Sequence, residues 1–420
     1  MEQLILTLFL ALFTLEFLIE FGLNELNLRH VRACWDSKEL PDLFTGKMTA
    51  DEYDKSVQYT VASGRFQRWS EVYDRLITLV ILFAVLGSLD RFAGTVAQSF
   101  SLGWYGHGII FCLAVGLVFI ATSLPTDLYA TFGLEAKFGF NKTTVRLFVA
   151  DKLKGLVLGL LIGVPFLFVV LWLMQAMGDY WWLWAFAFIT ACQFLMIVIF
   201  PTFIAPWFNK FETLKEGEFR ERILALANQI GFATSGIFTM DGSKRSAHSN
   251  AYFTGIGKAK RIVLFDTLIE QMTMDQGLAV LAHEMGHYKM KHIRRMLVVQ
   301  AIFLFIGLYL LSMLLKAPAF FNAFGLTSSN HAALVLFSLV SGPATFFLGP
   351  LMNRLSRKHE YEADHFAAMT LRDGKPMEEA LVNLTVKNLS NLYPHPWYSA
   401  YHYSHPTAVE RISAIRQTVP

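Results

Sequence analysis

The sequence predicts a mainly helical protein that crosses a membrane seven times and carries a smaller domain, with a short β-hairpin or sheet, outside the bilayer. Of its 420 residues, 54% are hydrophobic and only 16% are charged, which is too little charge for a soluble surface. Seven stretches are apolar over about 20 residues, the length that crosses a bilayer. The segments between them alternate in Lys and Arg content, as expected for loops on opposite sides of a membrane.

The predicted spans cover residues 3–23, 73–92, 106–125, 155–177, 181–205, 296–316 and 331–352. The first lacks the basic start and the small-residue cleavage site of a signal peptide, so we expect it to be retained. The seventh is the weakest because it contains Gly342, Pro343, Gly349 and Pro350. Such residues are tolerated where neighbouring helices satisfy the freed backbone groups.

The distribution of charge predicts an orientation. Basic segments follow the first, third, fifth and seventh spans, whereas those after the second, fourth and sixth hold at most one Lys or Arg. The positive-inside rule then puts the N-terminus outside and the two larger extramembrane segments in the cytoplasm. A net charge of +3 does not indicate a nucleic-acid partner. No CxxC pair occurs, so neither a disulfide framework nor a cysteine metal cluster is predicted.

The spans divide the chain into membrane helices one to five (1–206), an extramembrane segment (207–295), helices six and seven (296–352) and a mostly helical tail (353–420). Within the second part, a helix is expected at 274–293. Short β-like runs occupy 236–240, 250–255 and 261–265, with an Asp241-Gly242 turn after the first.

Two carboxylates in the first span, Glu16 and Glu20, share one helical face. Ionisable residues inside a membrane are functional candidates, but a paired or water-facing structural role is the simpler interpretation. The sequence leaves both open.

One motif carries recognisable chemistry. His283-Glu284-Met285-Gly286-His287 is HExxH, which on a helix points both imidazoles at one ion. The glutamate can then act as general base toward a zinc-bound water. Two helical histidines can also be purely structural. Here the proline-free, helix-forming surroundings and the small Gly286 favour zinc.

A catalytic zinc site needs a third protein ligand and an open position. Glu360 and Asp364 share one helical face just after the seventh span, whereas Glu362 points elsewhere. One of the pair could bind zinc while the other orients a ligand histidine, and periodicity does not rank them. The alternative interpretation for each is a solvated charged helix. Because both halves of this site adjoin predicted spans, we expect it at the cytoplasmic membrane surface and suited to membrane-held substrates.

Six separated motifs together resemble the integral-membrane CAAX prenyl proteases, zinc enzymes of the gluzincin class. They are FGFNKTT (138–144), PTFIAPWFNKF (201–211), SNAYFTG (249–255), HEMGH (283–287), SRKHEYEADHFA (356–367) and YSHPTAVER (403–411). The resemblance covers nearly the whole chain.

The resemblance implies roles for individual residues. Glu360 matches the family's third ligand to a single Zn²⁺, and Asp364 matches the carboxylate behind the metal site. Asn250 matches the residue that holds the substrate backbone, His405 the one that helps to stabilise the tetrahedral intermediate, and Arg411 its neighbour. From the residues alone, Asn250 and His405 would more often be structural.

The resemblance also implies a fold and a reaction. Seven helices would enclose a water-filled chamber capped by a cytoplasmic-side zinc protease domain, and NAYFTG would be an edge strand that a substrate extends. The expected reaction is endoproteolysis of membrane-associated peptides or proteins, in particular C-terminally prenylated (CAAX) ones.

Three alternatives remain. The first is a membrane quality-control metalloprotease without prenyl preference. The second is a non-hydrolytic zinc scaffold or transporter, which would not need Glu284. The third is an intramembrane-cleaving enzyme, against which the polar flanks of His283 argue. The absence of an ER-retention signal and a chain shorter than eukaryotic members predict a bacterial inner-membrane protein.

Overall fold

The computed structural model describes residues 1–37, 40–255 and 260–418. Its helices are α1 (Glu2–Asp36), α2 (Ala50–Val80), α3 (Leu86–Ser99), α4 (Gly103–Leu128), α5 (Ala136–Phe138), α6 (Val145–Ala176), α7 (Trp181–Ile199), α8 (Ala205–Phe208), α9 (Glu218–Ile230), α10 (Asp266–Gln271), α11 (Met274–Lys289), α12 (His292–Leu315), α13 (Pro318–Asn322), α14 (Asn330–Phe346), α15 (Gly349–Leu371), α16 (Lys375–Lys387), α17 (Pro396–His402) and α18 (Ala408–Arg416). Its strands are β1 (Phe211–Thr213), β2 (Gly236–Met240), β3 (Ala251–Thr254) and β4 (Arg261–Phe265). The predicted mainly helical fold is confirmed.

Six helical rods are long and apolar enough to cross a membrane, and each covers all, or all but the last residue, of one of the first six predicted spans. They are Glu2–Asp36, Ala50–Ser99, Gly103–Phe138, Val145–Ala176, Gly178–Phe208 and His292–Leu315. Many of their large apolar side chains, such as Leu161 and Phe203, are exposed in the isolated protein, as expected for surfaces that lipid covers. The orientation of these rods in the membrane stays a prediction.

The seventh predicted span, 331–352, is not one straight helix. α14 ends at Phe346, and α15 begins at Gly349 after a bend of 66°. Pro350 lies in the first turn of α15, where its missing N–H costs nothing, but the same residue could not continue α14. The chain crosses seven times only if this bent pair counts as a single span.

The four strands form one sheet in the order β1-β2-β4-β3. β2 pairs parallel with β4, and β1 and β3 are the antiparallel edges. All three predicted β-runs are strands, and the NAYFTG run lies at an edge as expected. β2 and β3 form no hairpin, because β4 lies between them. The helix predicted over 274–293 ends at Lys289, since Lys291 adopts φ 61° and turns the chain into α12.

Separate cores hold the membrane helices and the extramembrane domain. One includes Phe111, Leu171 and Leu336 among the spans. Another joins the sheet, α9, α11 and the later helices through residues such as Ile262 and Met285. Fully burying one such side chain contributes about 1.5–3 kcal/mol. α11 is therefore clamped between the sheet and α15, which fixes the face that its histidines present.

The two carboxylates of the first span both have partners. Glu16 Oε2 lies 3.1 Å from Arg75 Nη1 on α2. Glu20 Oε2 lies 3.3 Å from His402 Nε2 on α17, although neither atom makes a hydrogen bond within the described residues. These contacts link α1 to a second span and to the extramembrane domain, in line with a paired structural role.

Candidate metal centre

The HExxH residues lie on α11, which starts with a capping box. The Thr273 side chain accepts a hydrogen bond from the Gln276 N–H, and the Gln276 side chain accepts one from the Thr273 N–H. Such a cap contributes about 0.5–2 kcal/mol. Four turns later, Gly286 lets α15 approach closely, because an added Cβ would lie 3.2 Å from the Cα of Ala363.

This close approach brings three side chains together. The Nε2 atoms of His283 and His287 are 3.2 Å apart. Glu360 Oε1 lies 3.2 Å from His287 Nε2, and Glu360 Oε2 lies 3.4 Å from His283 Nε2. Ligands about 2.0–2.1 Å from a tetrahedral ion are separated by about 3.3 Å. The three separations therefore match three ligands around one small cation.

The hydrogen bonding of Glu360 agrees with a metal. Its side chain is 4% exposed, and within the described residues its buried Oε2 accepts no hydrogen bond. A buried carboxylate oxygen without a donor is costly. A cation held by both histidines would satisfy it, so these residues fit the metal that HExxH predicts.

A carboxylate and an arginine, Asp364 and Arg411, lie on the Nδ1 side of His283. Asp364 Oδ1 lies 2.8 Å from His283 Nδ1. Arg411 donates two hydrogen bonds to the same carboxylate, from Nε at 2.7 Å and from Nη2 at 2.6 Å. Asp364 therefore orients the ring of His283 from the side opposite Nε2. Periodicity did not decide between the two carboxylates. In the structure, Glu360 lies next to Nε2 of both histidines, whereas Asp364 lies next to Nδ1 of His283.

A second series of side-chain contacts starts at Nδ1 of His287, and the sequence did not predict it. His287 Nδ1 lies 2.9 Å from His292 Nδ1. His292 Nε2 lies 2.9 Å from Glu362 Oε2, which also accepts a hydrogen bond from Arg295. If Nε2 of His287 binds metal, its Nδ1–H donates to His292, whose Nε2–H donates to Glu362. Glu362 does point away from the metal group, as predicted, but it belongs to this outer network.

Burial and neighbouring charge change the acidity of the central groups. Burial raises the pKa of the Glu284 carboxyl, which makes it a stronger base at neutral pH. Burial would lower the pKa of His283, but the neighbouring carboxylates of Asp364 and Glu360 outweigh this and raise it to about 9. A metal ion would therefore compete with a proton for His283.

The remaining predicted residues differ in their distance from this group. His405 Nε2 lies 3.4 Å from Glu360 Oε1, and Arg411 Nη1 lies 3.5 Å from Glu360 Oε2. Both line a cavity of about 770 Å³ that extends between α2, α16 and α17. Asn250 is exposed at the start of β3, and its Oδ1 accepts a hydrogen bond from the Ala251 N–H. The structure thus brings His405 and Arg411 to the metal group but shows no contact of Asn250 with it among the described residues.

Comparisons with known proteins agree with this arrangement. Residues 30–210 match the model of the CAAX prenyl protease N-terminal region with five membrane helices. Residues 213–419 match peptidase family M48. The chain belongs to the CAAX prenyl proteases of peptidase family M48. This member is therefore a membrane metalloendopeptidase.

Relatives of this family member align over most of their length. CAAX prenyl protease 1 of Saccharomyces cerevisiae is 36% identical over 90% of this chain and 88% of its own. A homologue from Oryza sativa is 36% identical over 90% of each chain. The crystal structure of S. mikatae Ste24p superposes with a TM-score of 0.89 at 33% identity, covering 99% of this chain and 98% of that one.

The expectation of a bacterial inner-membrane protein gains no support from these matches. The relatives named above come from eukaryotes and differ little in length from this chain. Short length was one of the two arguments for a bacterial source, and the alignments remove it. An integral, multi-pass membrane protein is what the membrane-helix match supports.

Proposed function

We propose that this protein is a zinc-dependent endopeptidase that cleaves membrane-associated, C-terminally prenylated CAAX substrates. The observation that carries the proposal is the spacing of about one ligand-to-ligand distance between His283, His287 and Glu360, together with the unsatisfied Oε2 of Glu360. These three residues would hold one Zn²⁺. Relatives with this architecture are named CAAX prenyl proteases, which supports the substrate class.

Each surrounding side chain has a part in hydrolysis. Bound zinc would polarise the scissile carbonyl and make a water nucleophilic at neutral pH. Glu284 takes a proton from the attacking water and passes it to the leaving amine, a task suited to a carboxyl with a raised pKa. His405 and Arg411 face the cavity beside Glu360, where they can stabilise negative charge on the carbonyl oxygen.

Substrate can be held by the sheet. β3 is an edge strand of the described sheet that packs against α11, so an extended peptide could pair with its outer edge beside the HExxH helix. Asn250, the residue before β3, would bind the peptide backbone. α12 begins at His292 and continues as a membrane rod, so a lipid-anchored peptide would reach the site without leaving the membrane.

Glu284→Gln tests the catalytic assignment. The amide cannot accept a proton, whereas it leaves His283, His287 and Glu360 in place. We expect wild-type zinc content with cleavage of a farnesylated CAAX peptide reduced by at least about 10²-fold. Glu270→Gln is the matched control, since Glu270 is exposed on α10 and should change neither quantity. Wild-type cleavage by the Glu284 variant would show that Glu284 is not the base.

The substrate class needs its own measurement. One peptide should be assayed with and without its farnesyl group at equal concentration in the same detergent. We expect a higher kcat/KM for the prenylated form. Equal values, with activity still dependent on Glu284, would instead favour the quality-control protease without prenyl preference. This outcome would leave the zinc chemistry intact.

A further inference from the structure

A second group of potential ligands lies among the membrane helices, away from the HExxH site. Asp90 on α3, His107 on α4 and His331 on α14 offer one carboxylate oxygen and two imidazole nitrogens within 4.8 Å of one another. This is the same donor set, two histidines and one carboxylate, as in the catalytic group. The proposed reaction uses none of the three residues.

We propose that Asp90, His107 and His331 form a second binding site, for a divalent transition-metal ion such as Zn²⁺. Three separate helices contribute one ligand each, so the convergence is a product of tertiary packing and not of local sequence. Two imidazoles with a carboxylate are a typical ligand set for zinc and its neighbours in the first transition row.

The contacts among the three side chains show how the ligands are held. His107 Nε2 lies 2.8 Å and His331 Nε2 lies 3.0 Å from the same Oδ1 of Asp90. These are hydrogen-bond distances, so each ring donates its Nε2–H to the carboxylate. When an ion binds, each neutral ring carries its proton on Nδ1 instead, and Nε2 becomes a ligand. Ser329 Oγ, 3.1 Å from His331 Nε2, lies close enough to be a fourth ligand atom for the ion.

The surroundings of the three ligands favour a positive charge. The side chain of His107 is 30% exposed, whereas those of His331 and Asp90 are 10% and 14% exposed. Among the described residues, Asp90 is paired with no Lys or Arg, and its two ion-pair partners are these histidines. A half-buried aspartate that lacks a permanent cation is well suited to bind one.

The second site is remote from the first. His331 lies at the start of α14, and Glu360 lies on α15 beyond the far end of α14. α14 has 17 residues, so about 25 Å of helix at 1.5 Å per residue lies between His331 and the start of α15, which carries Glu360. In the predicted orientation, the second site faces the non-cytoplasmic side.

The two sites should differ in affinity. His283 and His287 each have an outer hydrogen-bond partner at Nδ1. Within the part of the chain that the structure describes, Nδ1 of His107 and Nδ1 of His331 have none. Outer partners of this kind raise metal affinity about 10–100-fold. We therefore expect Zn²⁺ to bind the second site about 10–100-fold more weakly than the first.

The test is zinc binding by the full-length protein in detergent. In the double variant His283→Ala and His287→Ala, we expect one equivalent of Zn²⁺ to remain, seen by equilibrium dialysis with elemental analysis. Adding His107→Ala and His331→Ala to that variant should remove it. His365→Ala is the matched control, because His365 is exposed on α15, and in the same background it should leave that equivalent bound.

If the fourfold variant folds poorly, Co²⁺ binding by the double variant provides an independent test. Co²⁺ added to the His283→Ala and His287→Ala protein should give the visible absorption of a nitrogen- and oxygen-ligated ion, and this absorption should disappear in Asp90→Asn. Failure of that folded double variant to bind either Zn²⁺ or Co²⁺ would overturn the proposal. Asp90, His107 and His331 would then be a hydrogen-bonded clamp between helices.

Discussion

The contact between α11 and α15 at Gly286 can be perturbed by a single methyl group. In Gly286→Ala, the new Cβ would lie 3.2 Å from the Cα and carbonyl oxygen of Ala363 and 3.1 Å from Cδ1 of Phe366. Non-bonded carbon atoms are comfortable at about 3.5–4.0 Å. Two of the three atoms belong to the backbone, so a change of rotamer cannot relieve the overlap. α15 must retreat by about 0.3–0.6 Å.

That retreat matters because α15 carries Glu360 one turn before Ala363. Metal–ligand distances tolerate deviations of about 0.2 Å, so the shift exceeds what the site can absorb. We expect zinc affinity to fall about 10–100-fold, comparable to losing an outer-shell partner. Overpacking should also lower the free energy of unfolding by about 1–3 kcal/mol.

The assay is competition for Zn²⁺ with a chromophoric chelator, together with kcat/KM on a farnesylated peptide at saturating zinc. Gly159→Ala on α6 is the matched control, since a Cβ there meets nothing within 4 Å and alanine is the better helix former. Gly159→Ala should retain zinc affinity. If Gly286→Ala also binds zinc with wild-type affinity, the close approach of α15 does not set the ligand geometry.

Three further predictions concern the groups around the metal. His292→Ala removes the link from His287 to Glu362 and should weaken zinc binding about 10–100-fold; an unchanged chelator competition curve would exclude that link. Arg411→Met leaves the carboxylate of Asp364, 2% exposed, without its cation, which should lower the free energy of unfolding by about 3–5 kcal/mol. Adding Asp364→Asn should recover part of that loss, and denaturant unfolding measures both. Thr273→Ala removes the cap of α11 and should lower stability by about 0.5–2 kcal/mol while sparing kcat; a large fall in kcat would show that the cap also positions the site.

The sequence predicted the parts of the fold that depend on local patterns. Apolar length located the six membrane rods, and β-like runs located β2, β3 and β4. Pairing was less accessible, because the placement of β4 between β2 and β3 depends on packing against α9 and α11. The bend between α14 and α15 had a local signal in Gly349-Pro350, but its 66° angle is set by tertiary contacts.

The residues of the candidate site also divide into those that local sequence predicts and those that depend on tertiary contacts. The i, i+4 spacing located His283 and His287, and it placed Glu360 and Asp364 on one face. Periodicity could not rank those carboxylates, because their roles depend on which nitrogen of His283 each one reaches. The outer network of His287 was missed for a related reason. His292 follows a break in the helix at Lys291, so its position could not be obtained by extending α11.

The order in which the ligands occur along the chain has a consequence during synthesis. His283 and His287 leave the ribosome first, whereas Glu360 follows only after α12 and α14 have been made. Between those events the new chain must insert two hydrophobic helices into the bilayer. A nascent or truncated chain that ends before α15 therefore carries an incomplete, two-ligand site. The full ligand set exists only after both helices have been made, so the topology itself ties completion of the metal site to the end of membrane assembly.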